Sequence, residues 1–347
     1  MQRLLLFLSG VVLYAALLAL NHWSLEPRAA AAAQAALQRW RALPGANVPH
    51  PLGSAAHAEL RGALERHFQG LPLERAHQTM AAGLTNFALR RAGTSSLPPV
   101  VLMAHWDSVA AGPGAADDGA GMSVLLELAE RCTKNMAAPL RSTIFLATDG
   151  EERGLLGAKA FFEEHPWARD GGVLINLEAR GTSGPVFLFE TIGNQRALIE
   201  TAQGVMPFPA AFSLAAEIYE RMPNDTDLSV FRADPRWHGY NLAFIRGLEH
   251  YHTAQDNADN LSSASVAHML ESAEALLEVW QREAHTPQGR EPAPHTSLWG
   301  RVLLWWPARA NLPIALALLV FAGLWLQAAW RAWLGGWLVL VCAGSLA

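Results

Sequence analysis

Between Pro99 and Trp280, short apolar runs alternate with longer segments of helical period, and this alternation limits the possible folds more than any other feature of the chain. The runs PVVLMAH, STIFLATD, GVLINLEA, PVFLFET and YNLAFIRG have the composition of strands, while MSVLLELAERC, LLGAKAFFEE, QRALIETAQGV and SVAHMLESAEALLEVW repeat apolar residues at helical spacing. Strands separated by helices return to the sheet in the same direction, so the order predicts an α/β domain with a mostly parallel mixed sheet. Strands that are apolar on both faces need helices above and below, which makes three layers, α/β/α. Ligands of such sheets bind at the carboxyl ends of the strands. There the chain places its ionisable groups: His105 and Asp107 end the first run, Asp149, Glu151 and Glu152 follow the second, Glu178 ends the third, and His252 comes after the fifth.

The flanks have a different character. The chain is 51% hydrophobic and 16% charged, where soluble domains carry about a quarter of charged residues, so part of it is expected in lipid. Leu4 to Leu20 is an apolar run of spanning length behind Arg3. Residues 1–22 thus read as a transmembrane anchor or a signal, with the anchor favoured because no small-residue cleavage site follows directly. Residues 23–54 read as a helical stalk or linker with a helix at Ala29–Arg41, 55–285 as the folded domain, and 286–311 as a Pro-rich linker. A transmembrane helix is expected at 312–330, behind the aromatic pair Trp305 and Trp306, and a partial second one at 332–347. Arg3 and Arg331 on the cytoplasmic side put the middle of the chain on the extracytoplasmic side, be it periplasmic, extracellular or luminal, although Arg301 and Arg309 oppose that arrangement. A net charge of -5 without an arginine cluster argues against nucleic acid as a partner. Cys132 and Cys342 are not expected to pair.

His105 and Asp107 share a strand face, and a carboxylate beyond a metal-bound imidazole fixes its tautomer and orientation. The adjacent Asp117 and Asp118 of ADDGAG suit a helix cap, but a cap needs only one Asp. Three acidic residues within four positions in TDGEERG repel one another unless a positive charge lies among them. A pair of divalent cations supplies that charge. Oxygen and imidazole donors without cysteine suit Zn²⁺ best, with Mn²⁺ or Co²⁺ as alternatives.

Taken together, AHWDSV, GAADDGAG, DGEERGLLGA, INLEARG and YHTAQDNADN resemble, in that order, the M28 family of zinc aminopeptidases. The membrane-end layout, with NDTDLSVFR before GYNLAFIRGLEHYHT, is most similar to its membrane-anchored endoplasmic-reticulum metallopeptidase-like branch. The resemblance implies a phosphorylase/hydrolase-like domain that holds two zinc ions and removes N-terminal residues from peptides. It makes His105, Asp117, Glu152, Glu178 and His252 the metal ligands, with Asp117 bridging, Glu152 and His252 on one ion, and His105 and Glu178 on the other. Many members carry Asp where this chain has Glu178. Glu151 matches the general base that takes a proton from a water activated between the metals, so that hydroxide attacks the scissile carbonyl. Tyr251 matches a tyrosine that steadies the oxyanion, a buried structural tyrosine being the other reading. Asn224 and Asp227 read either as substrate contacts or as a plain turn. His252 is chosen over His250 on the motif alone, and the Asp117–Asp118 peptide bond is expected to be strained or cis. Glutaminyl-cyclase-like acyl transfer, with a single catalytic metal, and carboxypeptidase action remain the alternatives on the same fold.

Overall fold

The computed structural model describes residues 27–134, 137–219, 221, 225–298 and 302–344, with the backbone alone described at 82, 328–329 and 331–344. The expected anchor at 1–22 lies outside the described residues. In chain order the elements are α1 (Ala30–Arg41), α2 (Ala55–Gln69), β1 (Glu74–Thr79), β2 (Thr85–Arg91), β3 (Val100–His105), α3 (Gly119–Lys134), β4 (Thr143–Thr148), α4 (Leu156–Glu164), β5 (Gly172–Ala179), β6 (Ser183–Ile192), α5 (Gln195–Val205), β7 (Ala210–Ala211), α6 (Ser213–Tyr219), β8 (Trp237–Arg246), α7 (Ser263–Arg282), β9 (His295–Leu298), β10 (Val302–Trp305) and α8 (Asn311–Gly344). Every strand and helix expected from the alternation between Pro99 and Trp280 is present.

Eight strands form one sheet in the order β1-β2-β4-β3-β5-β8-β6-β7. Parallel pairing runs through β4, β3, β5 and β8. Antiparallel pairing adds β2 and then β1 at one side and β6 at the other. The alternation of side chains along β3 shows why both faces are covered. Val100, Leu102, Ala104 and Trp106 join a core with α1, α2, α3 and α7, while Val101 and Met103 pack with Ala158 and Phe161 of α4 and with Phe231. Burying each such large apolar side chain contributes roughly 1.5–3 kcal/mol.

Two boundaries differ from the sequence reading. The expected stalk is part of the domain: Ala33, Ala36, Leu37 and Trp40 of α1 are buried at spacings of three and four, and the small side chains of Ala33 and Ala36 let the helix lie close to α3 and α7. The expected Pro-rich linker holds the β9–β10 hairpin, whose Leu303 is fully buried and whose Thr296 bridges to Phe212. Alternation in VLLW turns Leu303 inward while Val302 and Leu304 stay exposed, so polarity averaged over the segment hides the strand. The larger compact unit therefore runs from Leu25 to Trp305.

The other unit contains α8, which is 34 residues long and so about 51 Å at 1.5 Å per residue. It is one unbroken helix where the sequence suggested two spans divided at Arg331, because a single arginine is a good helix former and does not interrupt the backbone ladder. Among the described residues, Ala308–Gln327 is the segment long and apolar enough to cross a membrane, and its large side chains are exposed.

Candidate metal centre

The parallel strands β3, β4, β5 and β8 bring their carboxyl ends to one edge of the sheet. β3 ends in His105, and β5 carries Glu178 as its penultimate residue. After β4, Gly150 adopts a left-handed φ of 70°, which glycine takes without steric cost, and this reverses the chain into a short 3-10 turn of Glu151–Arg153. After β8, Gly247 does the same before the turn Leu248–His250. His252 is itself left-handed at φ 57°, a conformation costing a non-glycine residue roughly 1–2 kcal/mol, so the surrounding loop holds it there.

His105 Nε2 lies 3.2 Å from Asp117 Oδ1, and His252 Nε2 lies 3.2 Å from Asp117 Oδ2 and 3.1 Å from Glu152 Oε1. Ligand atoms of His105, Asp117 and Glu178 fall within 4.8 Å of one another, and those of Asp117, Glu152 and His252 do likewise. Asp117 thus belongs to two triads and turns one oxygen to each histidine. Glu151 joins His105 and Glu152 in a third grouping of the same size. His250 is elsewhere, its Nδ1 2.9 Å from Thr182 Oγ1, because the segment turns at His252 and is not extended.

Neighbouring groups fix these side chains. Asp107 Oδ1 accepts from the Glu151 amide at 3.0 Å and Oδ2 from the Glu152 amide at 3.3 Å. The nearest acceptor to His105 Nδ1 is the Asp107 carbonyl at 3.0 Å, with the carboxylate at 3.5 Å. Asp107 therefore holds the Glu151–Glu152 turn as well as facing the imidazole. The Asp117–Asp118 peptide bond is cis. Asp118 accepts from the amides of His105 (3.2 Å) and Gly121 (3.0 Å), tying β3 to the start of α3. Asn176 donates to Glu178 Oε1 at 3.2 Å and to Asn241 Oδ1 at 3.0 Å.

Two supporting residues escaped the sequence reading. Asp256, inside the motif that supplied His252, accepts from the amides of Ala116 (2.7 Å) and Asp117 (3.1 Å). His57 lies 2.9 Å from Asp149 and stacks on Trp106 with ring centroids 4.3 Å apart. Trp106 is thus core packing.

The electrostatics ask for a cation. Burial and neighbouring carboxylates push Glu178 up to about 8, raise Glu152, and raise Glu151 well above the ordinary carboxylate range. Burial also opposes ionisation of Asp117, yet hydrogen bonds with His105 and His252 hold its carboxyl far below that range. Burial disfavours charge on both imidazoles, but hydrogen bonds to carboxylates win: His252 rises to about 9 and His105 well above its usual value. Protons on these histidines sit where a positive charge is required, and divalent ions would supply it while displacing them. Glu152 Oε1 and His252 Nε2 lie 3.1 Å apart with Asp117 beside them, three ligand atoms close enough to share one ion. With nitrogen and oxygen donors and no sulfur, the set fits zinc or a similar ion.

Tyr251 stacks on His252 with ring centroids 3.7 Å apart and takes a hydrogen bond from Arg180. Asp227 is buried at the start of a 3-10 turn and accepts from Thr148 Oγ1, which favours the turn over a substrate contact; burial pushes it up to about 6. Asn224 lies outside the described residues.

The three-layer α/β fold gathers two carboxylate–imidazole triads at its carboxyl edge, the arrangement of a metal-binding enzyme domain. Residues 86–277, more than half of the chain, match Peptidase family M28, and the chain belongs to that family. It is 30% identical over 268 residues to a vacuolar membrane protease of Candida albicans (strain WO-1), covering 74% of this chain and 31% of that protein. It is 33% identical over 180 residues to human endoplasmic reticulum metallopeptidase 1, covering 51% and 20% respectively. The chain thus spans less than a third of the length of these curated relatives. Its fold is similar to a leucine aminopeptidase precursor from Bacteroides thetaiotaomicron (TM-score 0.56, 16% identity, 72% of this chain and 97% of that one). It is also similar to the Porphyromonas gingivalis glutaminyl cyclase (TM-score 0.54, 17% identity, 72% and 98%).

Proposed function

We propose that the protein is a membrane-anchored exopeptidase that removes N-terminal residues from peptides with two zinc ions, Mn²⁺ or Co²⁺ being able to replace them. The observation that carries this reading is the sharing of Asp117 between two complete triads, since one ion would need only one of them. His105 and Glu178 would hold one ion, Glu152 and His252 the other, and Asp117 both. Bound there, the ions would lower the pKa of water and polarise the scissile carbonyl. Glu151, its carboxyl raised by burial, takes a proton from the attacking water and passes it to the departing amine. Tyr251 donates to the carbonyl oxygen as negative charge develops on it. The second triad supports this reading over cyclase-like acyl transfer on the same fold, which would need one catalytic metal.

The anchor is α8 together with residues 1–22, and the catalytic unit lies on the extracytoplasmic side. The exposed apolar surface of α8 and the names of the membrane-protease relatives support the membrane part of this reading. Metal analysis of the purified full chain is expected to give two ions per chain. Glu151→Gln is expected to keep both and to lose 10²–10⁴-fold in turnover of aminoacyl substrates. Full activity in that variant, or a chain that binds no metal stoichiometrically, refutes the mechanism.

A further inference from the structure

Arg180 lies two residues beyond Glu178, in the turn from β5 to β6, and neither the ligand set nor the general base accounts for it. It is largely buried, and among the described residues it forms no ion pair within 4.0 Å, where a buried guanidinium in a structural role is normally matched by a carboxylate. Its donors go elsewhere. Nη1 donates to the Tyr251 hydroxyl at 2.5 Å and Nη2 to the Asp225 carbonyl at 3.0 Å, while Nε is buried and has no hydrogen-bond partner among the described residues. The guanidinium also sits 5.1 Å from the centroid of the Tyr251 ring and 6.0 Å from that of Tyr219.

A guanidinium has only donors, so in this contact the phenol oxygen is the acceptor. The hydroxyl has a single proton, and no acceptor for it is found among the described residues. Stacking on His252 fixes the plane of the ring beside the second triad. The proton is therefore free for a group bound at the metal centre, and the adjacent positive charge polarises the O–H bond. We infer that Arg180 is a positioning residue that commits Tyr251 to donating its hydrogen bond to the reacting carbonyl oxygen. The inference rests on the proposed role of Tyr251 and adds the group that enforces it.

The test is a double-mutant cycle on the zinc-loaded full chain in detergent, with aminoacyl p-nitroanilides as substrates, using Tyr251→Phe, Arg180→Ala, Arg180→Lys and the double variant Arg180→Ala with Tyr251→Phe. Each alanine or phenylalanine substitution alone is expected to lower kcat by about 10–100-fold with KM changed less than about twofold, as for loss of a group acting mainly in the transition state. The double variant is expected to be no more than about threefold slower than Tyr251→Phe, because removing the phenol leaves Arg180 nothing to act through. Methylguanidinium is expected to restore activity to Arg180→Ala but not to the double variant. Zinc content and melting temperature are measured alongside, and if Arg180→Ala does not fold, the cycle is closed with Arg180→Lys. A double variant slowed by the product of the two single effects overturns the inference while leaving Tyr251 in its role. A raised KM with unchanged kcat in the Arg180 variants also overturns it, since that marks substrate binding. Unchanged kcat in Tyr251→Phe removes both the role and the inference.

Discussion

Replacing Asp107 with alanine removes the acceptors of two partly buried backbone amides, those of Glu151 at 3.0 Å and Glu152 at 3.3 Å. Hydrogen bonds to a charged group are worth roughly 1.5–3 kcal/mol each, so Asp107→Ala should cost about 3–6 kcal/mol, a large share of the 5–15 kcal/mol that holds a typical domain together. Asp107→Asn keeps one acceptor but turns an NH₂ toward the other amide, and about half that loss is expected. The consequence for metal differs from that of a residue that only orients His105. His105 belongs to one triad and Glu152 to the other, so loosening the Glu151–Glu152 turn should weaken both binding steps, each by about 10–100-fold, the usual effect of losing an outer partner. Calorimetric titration of zinc into the metal-free full chain in detergent resolves the two steps, and urea unfolding of the same samples measures stability. If only one step weakens while stability is unchanged, Asp107 serves the imidazole alone and the argument from the turn is wrong.

Asp256→Ala strips the acceptors from the Ala116 and Asp117 amides and should cost about 2–5 kcal/mol with a marked loss of zinc affinity, read from unfolding curves and metal competition. Gly112→Ala would place a Cβ 2.2 Å from the Thr253 carbonyl, pushing on the loop that carries His252; zinc titration should show the Glu152–His252 step weakened, and an unaltered titration would mean that the loop yields freely. His268 accepts from the Val186 amide and is held neutral, burial lowering it to about 4 from 6.5. The unfolded chain therefore takes up the proton first on acidification, so stability is complete above pH 6.5 and falls by up to about 3 kcal/mol as pH drops to 4. Denaturation midpoints across that range should flatten in His268→Asn.

The sheet, and the placing of His105 and Glu178 at its carboxyl edge, could be read because each depends on short-range pattern: an apolar run gives a strand, and the residue at its end falls on the carboxyl edge. β1 shows where this fails. ERAHQT has no apolar alternation because it is an edge strand with one open side, and it is placed by its register with β2. TNFALRR is nearly all buried, but it follows no helix and pairs antiparallel, so the α/β alternation does not point to it. The alanines of α1 have the composition of a stalk as readily as that of a close-packed helix, and only the burial of Leu37 and Trp40 decides between them. The site divides in the same way. His105 and Asp107 are two positions apart and could be paired on paper, whereas His57 and Asp149, or Asp256 and Asp117, meet across the fold. Arg180 stood within the INLEARG motif, but nothing in the string reveals that its donors reach Tyr251.

The carboxylate of Asp256 also bears on the timing of folding. It closes a contact between residues 139 positions apart, and His252 reaches Asp117 over nearly the same separation. Such contacts are slow to form because a long loop must be ordered before they return any energy. During synthesis, β3 and the Asp117–Asp118 segment leave the ribosome long before β8 and the loop that completes the site. A nascent chain thus carries a half-built, strongly acidic pocket until the segment reaching Asp256 is made. The residues proposed to hold metal come together only once β8 and the loop after it have joined the sheet.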